Sequence, residues 1–123
     1  LTFKQEIIMT IERQIRSPIM HRVVTHGETL YFGGMVAEDR TVGMAGQTQQ
    51  ILARMEAMLT ECGSDKSKVL SATIFATDLG LKTEMDAVWT GFFGDALPAR
   101  ATVGVANLGT PETLIEVTCV ATK

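Results

Sequence analysis

Cysteine, histidine, proline and the larger aromatic residues are scarce in this 123-residue sequence, which holds two Cys, two His, three Pro, one Trp and one Tyr. Cys62 and Cys119 are too few for a disulfide framework, and neither lies in a Cys-x-x-Cys or other reactive context. Both read as buried packing residues. His21 and His26 have no Cys, Asp or Glu at ligand spacing, which leaves a metal site without a basis in the sequence. No stretch approaches the ~20 consecutive apolar residues that a bilayer-spanning helix requires. The N-terminal segment alternates charged and apolar residues, unlike a signal peptide. Excess positive charge is also missing: 11 Lys and Arg stand against 14 Asp and Glu, a net charge of −3. Non-specific affinity for nucleic acid rests on Lys and Arg, so that partner is disfavoured. The expectation is a cytoplasmic protein with neither nucleic acid nor membrane as partner.

What is present is a folding composition, 46% hydrophobic and 20% charged, in a chain of single-domain length. No repeat or low-complexity linker divides it. The chain opens on Leu1 and its first methionine is Met9, so residues 1–8 read as a non-native or disordered leader and 9–123 as one domain. Residues 10–34 read as short strands, with a turn at His26-Gly27-Glu28 before Thr29-Leu30-Tyr31-Phe32. Gly33-Gly34 follows, where the backbone needs unusual dihedrals or close approach by another group.

Residues 45–62 carry the clearest helical stripe: Ile51, Leu52, Met55, Met58, Leu59 and Cys62, closed by Gly63. Val69 to Ala76 reads as a strand, and 81–94 as a second helix with Leu81, Met85, Val88, Trp89, Phe92 and Phe93 on one side. Strands over 101–106 and 114–121 close the chain. The order β-β-α-β-α-β-β predicts an α+β two-layer sandwich, a mixed sheet with two helices on one face. The other face, expected to carry Val103, Val105, Ile115 and Val117, would be costly to leave in water, so self-association is predicted. So short a chain also lacks room for a deep private cleft, which makes a subunit interface the candidate site.

Two charges stand out by position. Arg100 is the only charge between Asp95 and Glu112, and Glu116 the only one between Glu112 and Lys123, inside Leu114-Ile115-Glu116-Val117-Thr118. A charge in a half-buried strand needs a partner or water. The bland alternative is that both point to solvent or pair with each other. The functional one is that the planar fork of Arg100 holds a small carboxylate while Glu116 moves protons or orients a water. A simple hairpin of the last two strands would set Glu116 against position 104, about 13 Å from Arg100 at ~3.3 Å per residue. Both can serve one site only through another strand order, a water-filled gap or a neighbouring subunit.

Several segments, in order from about residue 15 to the end, resemble the RidA (YjgF) family of reactive-intermediate deaminases. They are Leu30-Tyr31-Phe32-Gly33-Gly34, Gln47-Thr48 to Leu52, Ala57-Met58-Leu59 to Gly63, and Thr73-Ile74-Phe75-Ala76-Thr77-Asp78-Leu79. Met85-Asp86-Ala87-Val88-Trp89 to Phe92-Phe93, Pro98-Ala99-Arg100-Ala101-Thr102-Val103 and Ile115-Glu116-Val117 complete the pattern. The resemblance implies a chorismate-mutase-like fold, a homotrimer with sites between subunits, and no metal or organic cofactor. It implies hydrolysis of small carboxylated enamines or imines to ketoacids and ammonia, with Arg100 on the substrate carboxylate and Glu116 at the catalytic water.

Archetypal members of that family carry Tyr near Met20, Ser at Gly33, Asn at Asp86 and Cys at Thr102, so this chain resembles a divergent subgroup. Its expected substrate-binding set is Gly33, Gly34, Thr102, Met20, His21, Asp86 and Trp89, with His21 able to replace the missing tyrosine and Thr102 still offering a hydroxyl. Alternatives within the same fold are a non-catalytic carboxylate-binding or chaperone-like protein, and a pathway-specific deaminase of an aminomuconate-like substrate.

Overall fold

A computed structural model describes residues 9–123; the expected leader, 1–8, lies outside the described residues. Strands β1 (Ile11–Arg16), β2 (His21–His26) and β3 (Thr29–Phe32) run as successive hairpins, the second turning at Gly27 with φ 63°. Helix α1 (Met44–Glu61) leads to β4 (Val69–Ala76), helix α2 (Lys82–Phe93), β5 (Ala99–Gly104) and β6 (Ile115–Thr122). The six strands form one mixed sheet in the order β1-β2-β3-β6-β4-β5, in which only β4 and β5 are parallel. That parallel pair is possible because α2 carries the chain back along the sheet.

Both helices form where the apolar stripes predict them and pack on one sheet face. Ile51, Leu52, Met55 and Leu59 of α1 meet Met85, Trp89 and Phe93 of α2 over Leu30, Ile74, Ile115 and Val117. Past the end of α1, Gly63 (φ 81°) lets the Gly63 and Ser64 amides return to the Thr60 and Leu59 carbonyls, which ends the helix. Cys62 and Cys119 are buried packing residues as expected, and burial alone pushes the Cys119 thiol up to about 12.

The last two strands form no hairpin, because β4 lies between them, the other strand order left open above. One expectation is corrected: Ile115 and Val117 do not line the open face, since both are fully buried under the helices. Glu116 decides this register, since a lone charge cannot enter the core and strand side chains alternate with period two. Val105 lies just past β5, where its amide donates to the Ala76 carbonyl at 2.9 Å. The open face carries instead Tyr31, Phe75, Val103, Thr118 and Val120, in register with one another across the strands. Tyr31 and Val103 are 49% and 41% exposed, an apolar surface for a chain of this size.

Two local devices position the elements that matter below. Tyr31 pairs with Val120 and Met35 with Val117, so the β3 side holds one residue more than β6 between these pairs, a bulge at Gly33-Gly34. Gln47 of α1 is fully buried and uses its whole amide. Its Nε2 donates to the Val42 and Glu112 carbonyls at 2.9 Å, and its Oε1 accepts from the Leu114 amide at 3.0 Å. That staple holds Leu114, the residue just before β6 and two before Glu116, and so fixes where the strand begins.

Candidate active site

Arg100 lies on β5, an edge of the sheet, in register with Ala72. Ala72 is buried beneath the helices, so Arg100 takes that face and reaches toward α2. Its Nη2 donates to Asp86 Oδ1 at 2.5 Å and its Nε to Thr102 Oγ1 at 3.0 Å. The guanidinium carbon stands 5.3 Å from the centroid of the Trp89 ring, cation–π range. Asp86 also accepts from Lys82 Nζ at 2.7 Å, one helical turn earlier. Burial pushes the Asp86 carboxyl up, but hydrogen bonds from Lys82 and Arg100 outweigh it and hold the group below its ordinary value. An open pocket of about 370 Å³ at this edge has Lys82, Asp86, Leu97, Pro98 and Arg100 among its walls.

Glu116 belongs to the opposite face. It pairs with Phe75 of β4, which pairs in turn with Val103 of β5. The two sheet spacings and three residues separating it from Arg100 amount to about 14 Å between backbones. Its carboxylate lies against the Gly34 backbone: a Cβ built at Gly34 would stand 2.0 Å from Oε2. One at Gly33 would stand 2.9 Å from the Met20 sulfur. Here the glycines serve close approach, and the space they leave is filled by Glu116 and Met20. No described hydrogen bond engages the Glu116 carboxylate, and no buried side-chain oxygen lacks a partner, so neither of its oxygens is fully sealed from solvent.

The predicted residues therefore fall into two groups that do not meet within one chain. Arg100, Thr102, Asp86 and Trp89 form one; Glu116, Gly34, Gly33 and Met20 form the other. Trp89 is 2% exposed, so its ring supports Arg100 from below and offers little surface to a ligand. His21 joins neither group: it opens β2 opposite Arg16, beside a shallow pocket lined by residues 16–21. Lys82 escaped the sequence reading, although its i,i+4 spacing to Asp86 carries the signal. Gln47 escaped it too, because nothing local marks a glutamine whose partners lie 65 residues away.

The model of the family described as Endoribonuclease L-PSP matches residues 15–123. The chain belongs to this family. It is 37% identical over 115 residues to the RutC family protein YoaB of Escherichia coli K12, covering 92% of this chain and 98% of that one. A RutC family protein of Haemophilus influenzae is 33% identical over 116 residues, 93% of this chain and 99% of its own length. Among solved structures, the YjgF-family protein NMB1025 of Neisseria meningitidis superposes with a TM-score of 0.87 at 36% identity, covering 94% of this chain and 96% of that one. These findings bear out the RidA/YjgF resemblance and the α+β fold. None of the described helices is long and apolar enough to cross a membrane.

Proposed function

We propose that this RidA/YjgF-family protein hydrolyses small carboxylated enamines or imines to ketoacids and ammonia, at sites completed between the subunits of a homotrimer. The observation that carries this reading is the split just described. An anion fork stands on one edge of the chain and a carboxylate open to water on the other face, about 14 Å apart. Each is half of a hydrolytic site. Docking the apolar open face of one copy, with Tyr31, Phe75, Val103 and Val120, against the β5 edge of another would cover that surface and join the halves.

In the joined site Arg100 fixes the substrate carboxylate. Asp86 already holds Nη2 and Thr102 holds Nε, so the substrate takes the remaining Nη1 edge or displaces Asp86. An enamine first takes a proton at carbon and becomes the imine. Water, oriented and deprotonated by Glu116, adds to the C=N carbon while nitrogen accepts a proton; the new hydroxyl then gives its proton, by way of Glu116, to the same nitrogen as the C–N bond breaks, releasing ammonia and leaving the ketoacid. The chemistry of these side chains calls on no metal or organic cofactor. A cytoplasmic setting, where such intermediates arise, fits this role.

The family description names an endoribonuclease, but an RNA backbone needs a track of cations, and the face around Glu116 presents Phe75, Val103, Thr118 and Val120. The test generates imines from amino acids with an amino-acid oxidase and follows their loss against semicarbazide trapping. Faster loss with the wild-type protein and none beyond background with Arg100→Ala is expected. Equal rates in the two proteins would overturn the mechanism. Carboxylate-dependent thermal stabilisation without ammonia release would favour the binding-only alternative.

A further inference from the structure

A second charged pocket lies between β2, the segment 36–41 and α1, and shares no lining residue with either half of the proposed active site. It has a volume of about 700 Å³, and Arg22, Arg40 and Arg54 are among its walls. Only one carboxylate, that of Glu38, shares the lining. All three arginines are half-buried, and none forms an ion pair among the described residues, where both salt bridges belong to Asp86. Burial, and after it repulsion from Arg54, pulls the Arg22 pKa below its ordinary value, so the two guanidiniums act on each other. Three like charges beside a single carboxylate leave a surplus that costs stability, and an anion placed among them reduces that cost.

The pocket is also held in shape. Asp39 and Gln50 exchange two hydrogen bonds, Asp39 N to Gln50 Oε1 at 3.0 Å and Gln50 Nε2 to Asp39 O at 3.2 Å, which tie the 36–41 segment to α1. Arg40 Nη1 donates to the Ala37 carbonyl at 3.1 Å, pinning one side of its guanidinium. The nearby Asp39 carboxylate lies outside this lining and forms no ion pair with Arg40, its Oδ1 accepting from the Thr41 amide and hydroxyl at 3.0 and 2.6 Å. Opposite Arg22, Ile15 adopts φ 56°, the one positive φ outside glycine in the described chain, and its register position between Gln14–Val23 and Arg16–His21 is left unpaired. A β-branched residue pays to stay in that region, and such strain gathers where a strand is bent for a purpose.

We infer that this pocket is a binding site for a small anion carrying more than one phosphate group. Arginine forks match phosphate oxygens bidentately, and three of them suit a ligand with more charge than one carboxylate. The pocket is wide enough for a pyrophosphate-sized group, and its guanidiniums cluster where a strand-bound nucleic acid would need them spread along a line.

The test uses the whole protein and inorganic pyrophosphate as probe, by calorimetry and by thermal shift, with acetate at matched ionic strength for comparison. Saturable binding of pyrophosphate, absent with acetate and weakened about tenfold or more in Arg54→Gln and Arg22→Gln, is expected. The exposed Arg13→Gln variant, outside the pocket, should bind as the wild type does. Absence of saturable binding at millimolar pyrophosphate would overturn the proposal, and so would equal weakening by Arg13→Gln. An RNA oligonucleotide binding more tightly than pyrophosphate through the same arginines would overturn the small-ligand assignment. These readouts involve no imine turnover, so they stand or fall apart from the deaminase reading.

Discussion

The Arg100 edge and the Glu116 face hold their charges by opposite means. Arg100 is held by partners of its own chain, Asp86 on Nη2, Thr102 on Nε and the Trp89 ring beneath, with Nη1 left unengaged. Glu116 has no described hydrogen-bond partner and is placed by space alone, in the hollow that Gly34 leaves by lacking a side chain. An anion-binding arginine gains from being held rigid before its ligand arrives, because less freedom is lost on binding. A carboxylate meant for water gains from the reverse, since each donor given to it by the protein would occupy a lone pair the water needs. The two halves thus look built for different tasks. In the proposed reading neither is a site without the other.

Breaking the first half should have the largest effect. Arg100→Ala removes the fork proposed to hold the substrate carboxylate and is expected to lower kcat/KM for imine hydrolysis by about 10³-fold. Arg100→Lys, which keeps the charge and loses the fork, should rescue little of it. Gly34→Ala attacks the second half without touching a polar atom. Its methyl must evict a carboxylate oxygen 2.0 Å away, and a displacement of that order is expected to cost about 10²-fold in kcat with the fold retained by circular dichroism.

Between these effects and the smallest lies the staple that positions β6. Gln47→Ala leaves the half-buried Leu114 amide and two carbonyls without their partner, and should lower unfolding free energy by about 1–3 kcal/mol in urea melts. Asp86→Asn sharpens the comparison at least expense. Asp86 is held below the ordinary carboxylate value, so its contribution is present above about pH 4 and is lost as pH falls through the folded value. The pair is partly exposed, so the loss should stay within about 1 kcal/mol, with the acid limb of the stability profile flattened in the variant. The same variant removes a carboxylate charge from beside Arg100 and weakens the competition for Nη2, and tighter binding of a simple ketoacid is expected by calorimetry.

How much of this was legible in the sequence depended on how local each signal was. Both helices were, because Ile51 through Leu59 and Met85 through Phe93 repeat at the helical period; β4 was, because Val69 to Ala76 has no breaker. Arg100 and Glu116 stood out as lone charges in apolar strands, and Gly34 as a point of close backbone approach. The strand order was not legible. That β4 inserts between β5 and β6 follows from long-range pairing, and assigning Ile115 and Val117 to the open face was an error of register by one residue. The Arg100–Asp86 contact was hidden for a similar reason: a strand and a helix 14 residues apart meet only through the packing of α2 on the sheet.

The central claim is that Arg100 of one copy serves Glu116 of another, and mixing subunits tests it directly. Arg100→Ala and Glu116→Gln proteins, each inactive alone, are unfolded together, refolded and assayed for imine hydrolysis. If the site is shared, random mixing restores intact sites at about a quarter of the interfaces of a closed trimer, and that fraction of wild-type activity should return. If mixed oligomers form and remain as inactive as either parent, the two residues do not share a site and the account fails.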